Sequence, residues 1–108
     1  MMIQCLVANT QANEKLICDS YELKNDFKNI RIKLCGNQLF YYEKDYDMGP
    51  YTDTCEILIK GKKIDILKRT TNNFWYKITI GDDKQIILSY KASGVKKKME
   101  IPKITLNE

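Results

Sequence analysis

The sequence contains no histidine. That removes Ser-His and Cys-His nucleophilic catalysis, along with every histidine-ligated zinc site. The four cysteines, Cys5, Cys18, Cys35 and Cys55, include no C-x-x-C pair, so a zinc cage is not expected. Asp45-x-Asp47 has the spacing that opens a calcium loop, but the remaining ligands of such a series are missing. Proline occurs twice and tryptophan once. No apolar run is long enough to cross a bilayer as a helix. Sustained helical spacing is also absent; the nearest stretch, 13–29, fits strands as well. No base–nucleophile pairing is readable. The expectation is a protein that is not an enzyme and carries no metal or cofactor.

What is present is a chain of 108 residues with 44% apolar content, enough for one domain with a modest core. The net charge of +4 is unevenly spread. Residues 1–59 hold six Lys/Arg against nine Asp/Glu, and residues 60–108 hold twelve against five. The later part is therefore strongly basic, which suits an acidic partner, a polyanion or an ordinary solvated lysine face.

Residues 1–12, MMIQCLVANTQA, have two readings. One is the end of a secretory signal with a loose cleavage site at Thr10-Gln11-Ala12. The other is a first strand, Ile3 to Ala8. The domain proper is placed at 13–108. On the first reading the protein is periplasmic or secreted, and Cys18, Cys35 and Cys55 remain to give one bridge and one free thiol. On the second it is cytoplasmic.

Period-two alternation dominates the rest. Ile30, Ile32 and Leu34 share one face against Arg31 and Lys33. Cys55, Ile57 and Ile59 oppose Glu56, Leu58 and Lys60. Ile86, Leu88 and Tyr90 oppose Ile87 and Ser89, and Met99 and Ile101 alternate with Lys98 and Glu100. Pro102 restricts that last run to an edge or a strand end. Turn signals stand between the runs at Gly36-Asn37, Lys60-Gly61-Lys62, Gly81-Asp82-Asp83 and Ser93-Gly94. The pattern predicts an all-β domain: a small antiparallel barrel or sandwich of seven to eight short strands.

Phe74, Tyr76, Ile78 and Ile80 form a wholly apolar face, which should point inward. That leaves Trp75 with Lys77 and Thr79. An indole in that position either caps a minor core under a loop or stacks on a ligand. Upstream, four tyrosines and four charged residues fall between Tyr41 and Tyr51. Tyr41 or Tyr42 fits the core. Glu43, Asp45 and Asp47, with Asp53 just beyond, are expected to give a negative loop that suits a cationic or amide-rich ligand. The candidate ligand-binding residues are Asp45, Tyr46, Asp47, Tyr51 and Trp75. A candidate basic patch is Lys96, Lys97 and Lys98, preceded by Lys91.

Residues 49–80 read GPYTDTCEILIKGKKIDILKRTTNNFWYKITI. They resemble the bacterial SH3 domain, and Gly81 to Ile87 extends the likeness as the following hairpin. Gly49-Pro50, Lys60-Gly61-Lys62, Ile64 to Leu67 and Asn73 to Ile78 stand where that family has a Gly-Pro, a lysine-glycine turn, an alternating strand and an Asn-Trp-Tyr-Lys strand. Asp45-Tyr46-Asp47-Met48 replaces the family's Leu-Asn-Val-Arg run, and Gln85-Ile86 replaces its late Gly-aromatic. The resemblance implies an SH3-like barrel and a module, often exported, that binds cell-wall or peptide segments through an aromatic groove.

Three functions follow as expectations. The first is a non-catalytic module recognising a peptide or cell-wall segment. The second is a small inhibitor or immunity protein that blocks a toxin or lysozyme-type enzyme, including a secreted one, by entering its basic cleft. The third is a single-stranded nucleic-acid binder, for which aromatics interleaved with the lysines on one face are required.

Overall fold

A computed structural model of the chain describes residues 17–82 and 84–104. Both readings of residues 1–12 fall outside that range. Nine strands follow one another: β1 (Cys18–Lys24), β2 (Lys28–Cys35), β3 (Gln38–Asp45), β4 (Tyr51–Lys60), β5 (Lys63–Arg69), β6 (Lys77–Ile80), β7 (Ile86–Ala92), β8 (Val95–Ile101) and β9 (Lys103–Ile104). Consecutive strands from β1 to β8 pair antiparallel, giving one sheet in the order β8-β7-β6-β5-β4-β3-β2-β1-β9.

The sheet rolls up on itself. Beyond Pro102 the chain of β8 continues as β9 and pairs with β1, and the Glu22 N–H donates to the Pro102 carbonyl at 3.0 Å. The result is a nearly closed all-β barrel. The expected class stands, but the strand count is nine rather than seven or eight. Proline has no N–H, so it divides one continuous run into two strands with different partners.

Local chemistry sets the hairpins. Gly36 and Gly61 each occupy the first position of a two-residue loop with φ near +60°. That backbone matches the strand twist, and other residues adopt it only with strain. Inside, alternation delivers Ile30, Ile32, Leu39, Ile57, Ile86, Leu88 and Ile101 to the core, fully enclosed. Each contributes roughly 1.5–3 kcal/mol by leaving water.

Cys18 faces Cys35 across β1 and β2, with Cα atoms 4.3 Å apart, and the two are bridged. Cys55 is buried and unpaired. Burial, then the nearby Asp53 carboxylate, pushes its thiol up to about 11, with Arg69 pulling the other way. The bridge closes a loop between residues 17 positions apart. Its reduction is expected to cost about 3 kcal/mol through the entropy regained by the unfolded chain. Urea unfolding with and without a reductant checks this; an unchanged midpoint would contradict it.

Candidate functional site

The site begins where β5 leaves the sheet. Glu56 pairs with Lys68 but Ile57 pairs with Ile66, so Leu67 is an extra residue that bends the strand. β5 and β6 then pair only through Lys63 with Thr79 and Ile64 with Ile78. Thr70 keeps one ladder bond, its N–H donating to the Thr54 carbonyl at 3.0 Å, and residues 71–76 then lie outside the strands and need other partners for their N–H groups.

Asp53 supplies those partners. The N–H groups of Thr70 (3.1 Å) and Thr71 (2.9 Å) and the Thr70 hydroxyl (3.0 Å) donate to its Oδ1; the Phe74 N–H donates to Oδ2 (3.0 Å). Burial alone would raise this carboxyl. The amides of Thr71 and Phe74 and the hydroxyls of Thr70 and Thr71 outweigh it and hold the group below its ordinary value. The loop is pinned again where the Asn73 amide donates to the Thr52 carbonyl at 2.8 Å.

So fixed, the loop presents three consecutive rings. Phe74 is wholly buried and Tyr76 nearly so, whereas Trp75 is 56% exposed. The Trp75 ring stacks on Tyr76, with centroids 4.4 Å apart, and meets Tyr90 edge-on at 6.1 Å. These contacts hold the indole at the mouth without covering it.

A second carboxylate lies beneath. Glu43, 6% exposed, accepts hydrogen bonds at Oε1 from the hydroxyls of Tyr41 and, at 3.1 Å, Tyr76. Its Oε2 is 3.8 Å from the Lys28 ammonium. The expectation that Glu43 and Asp53 add to a negative loop surface is corrected here. Glu43 is in phase with Leu39 and Tyr41 on β3, and Asp53 with Cys55 and Ile57 on β4, so both point inward. Tyr41 is the core tyrosine of its pair, while Tyr42 lies under the Arg31 guanidinium at 5.0 Å.

These elements enclose a cleft of about 390 Å³. Tyr41, Glu43 and Tyr76 form its buried lining; Tyr51, Trp75 and Tyr90 supply further rings, with Lys28 and Asp45 beside them. Asp45 opens the tight turn 45–48, its N–H donating to the Met48 carbonyl at 2.9 Å. Two buried side-chain oxygens among the described residues have no hydrogen-bond partner, Asn29 Oδ1 and Asp45 Oδ1. Only the second belongs to the cleft lining. With Lys28 offset by Glu43, the Asp45 carboxylate leaves the cleft with one negative charge in surplus.

The structure therefore gathers Asp45, Tyr51 and Trp75 from the candidate set. Tyr46 and Asp47 do not join them. Tyr46, 76% exposed, stands on the turn beside the exposed Phe27, lining a second hollow that shares Lys28 and Asp45 with the cleft. Asp47 is exposed on the same turn. Lys96, Lys97 and Lys98 line a further hollow on the other side of Trp75. Tyr90 and Glu43 belong to the cleft but were not candidates. Their signal was the strand phase, which places both on the inward face.

No protein-family model, no curated protein and no solved structure matches this chain.

Proposed function

We propose that the protein is a non-catalytic binding module that takes a basic side chain of a peptide or protein partner into the cleft between Tyr51 and Trp75. The observation that carries this is the aromatic-lined cleft with the half-buried Asp45 carboxylate in its wall and one negative charge in surplus. A lysine or arginine head placed there pairs with that carboxylate and gains a cation–π contact with the rings. The exposed Phe27, Tyr46 and Met48 at the neighbouring hairpin ends supply an apolar rim of the kind that anchors protein interfaces. The resemblance of residues 49–87 to bacterial SH3 domains, which implies binding of cell-wall or peptide segments, favours a binding module.

The test uses capped pentapeptides with arginine, lysine or leucine at the centre, followed by the emission of Trp75, the chain's single tryptophan. The arginine and lysine peptides are expected to change the emission and the leucine peptide is not. Asp45→Asn is expected to weaken binding about tenfold, the worth of one charge-assisted hydrogen bond. Equal binding of the leucine peptide would refute the proposal. An inhibitor would use the same rim and cleft, and shows itself by abolishing the activity of its target enzyme at one equivalent.

A further inference from the structure

Trp75 has a second neighbourhood. On the side away from Asp45 it borders an open hollow of about 860 Å³, lined with Tyr90 and five lysines: Lys77, Lys91, Lys96, Lys97 and Lys98. The register of β6, β7 and β8 assembles it. Lys77 faces Ser89, Ser89 faces Lys98, Tyr90 faces Lys97, and Lys91 faces Lys96. No acidic side chain lines this hollow. Among the described residues none of the five lysines takes part in an ion pair, although lysines elsewhere on the barrel pair with Asp19, Glu43, Asp65 and Asp82.

The Lys91–Lys96 pair is informative because like charges directly opposite in an antiparallel ladder are destabilising. A sheet that merely needs solubility alternates signs across strands. Lys77, Lys91, Lys96 and Lys98 share one strand phase of β6 to β8, with Lys97 on the other beside Tyr90, and the hollow all five line holds no counter-charge, which suits an anion larger than one group. The rings narrow the choice. A chain of nucleotides carries a flat base for each phosphate, and a base gains from stacking on an exposed indole. A sulfated sugar offers an indole only the C–H face of its ring, and a carboxylate peptide carries a flat ring only where it has an aromatic residue.

We propose that this hollow binds single-stranded nucleic acid, with the lysine ammonium groups on the phosphates and a base against Trp75. The site is separate from the Asp45 cleft and touches it only through Trp75 and Tyr90. It takes a ligand of opposite charge.

The probe is a fifteen-residue oligothymidylate titrated at 50 and 200 mM salt, again read by Trp75 emission. Quenching is expected at low salt. If four of the lysines neutralise phosphates, the logarithmic salt slope is about −3 and the fourfold rise in salt weakens binding roughly fifty-fold. The double variant Lys96→Glu, Lys98→Glu is expected to lose at least tenfold in affinity. Its melting temperature is expected to hold or rise, because Lys91 then faces a carboxylate. Heparin and polyglutamate, matched for charge, are expected to bind less tightly and to leave the emission unquenched. The proposal is overturned by an absence of binding at 50 mM salt, by heparin or polyglutamate binding as tightly as the oligonucleotide, or by a preference for anionic phospholipid vesicles.

Discussion

Replacing Asp53 with alanine is expected to destabilise the barrel by about 4 kcal/mol, a large share of the 5–15 kcal/mol typical of a domain. The carboxylate receives four hydrogen bonds, three of them from the N–H groups of Thr70, Thr71 and Phe74. Each hydrogen bond to a charged group is worth about 1.5–3 kcal/mol. The full sum is not reached, because part of the freed loop can turn to water. Phe74, however, is wholly buried and its ring is held in place by this loop. Asparagine fills the same volume but offers one acceptor oxygen and turns a donor toward donors, so Asp53→Asn is expected to cost about half as much. Because the native carboxyl lies below its unfolded value of about 3.9, its contribution is present above that pH. It is lost as pH falls through the lower native value. Urea titrations at pH 7 and pH 3 check both statements. Wild-type stability is expected to fall over that range more than that of Asp53→Asn. An alanine variant as stable as wild type would contradict this account of the loop.

Replacing Glu43 with leucine is expected to cost about 3–5 kcal/mol, the range for removing one partner of a buried charged cluster. The hydroxyls of Tyr41 and Tyr76 lose their acceptor, and Lys28 loses its nearest carboxylate. Glutamine keeps an acceptor oxygen, so Glu43→Gln is expected to lose markedly less. The same cluster predicts alkaline unfolding. Burial first, and then Glu43, raises both phenols above their usual value of 10. The folded state therefore keeps these protons at a pH where the unfolded chain releases them. Their contribution is complete below about pH 10 and declines above it, by about 1.4 kcal/mol per pH unit for each phenol. Stability measured from pH 9 to 11.5 checks the slope. The double variant Tyr41→Phe, Tyr76→Phe is expected to flatten it, and an equal slope in that variant would contradict the assignment.

Much of the barrel was legible because alternation and turn chemistry agree. Ile30, Ile32 and Leu34 against Arg31 and Lys33, closed by Gly36-Asn37, specify one strand and its turn. The Phe74-Tyr76-Ile78 phase also placed Trp75 outside the core correctly. β1 was harder to read. Its inward residues, Tyr21 and Leu23, stand among charged and polar neighbours, so the period is weak over 18–24. The two buried carboxylates were misread for a physical reason. Asp and Glu are seldom buried unless paired, and the partners of Asp53 lie 17 to 21 residues away. Strand phase pointed inward at Glu43 and Asp53, but nothing local named the donors waiting there. The lysine hollow needed register. Lys96 to Lys98 stood out as a run, but their meeting with Lys77, Lys91 and Trp75 depends on how three strands pair.

The central claim is that Trp75 divides two binding surfaces of opposite charge. Backbone amide chemical shifts, recorded while the arginine pentapeptide and then the oligothymidylate are added to separate samples, test it most directly. The account predicts that the peptide moves residues around Asp45, Tyr51 and Asn73. The oligonucleotide should move Lys77, Ser89 and residues 91–98, and both should move the Trp75 indole. Shifts confined to one common surface for both ligands, or an indole signal that neither moves, would contradict it.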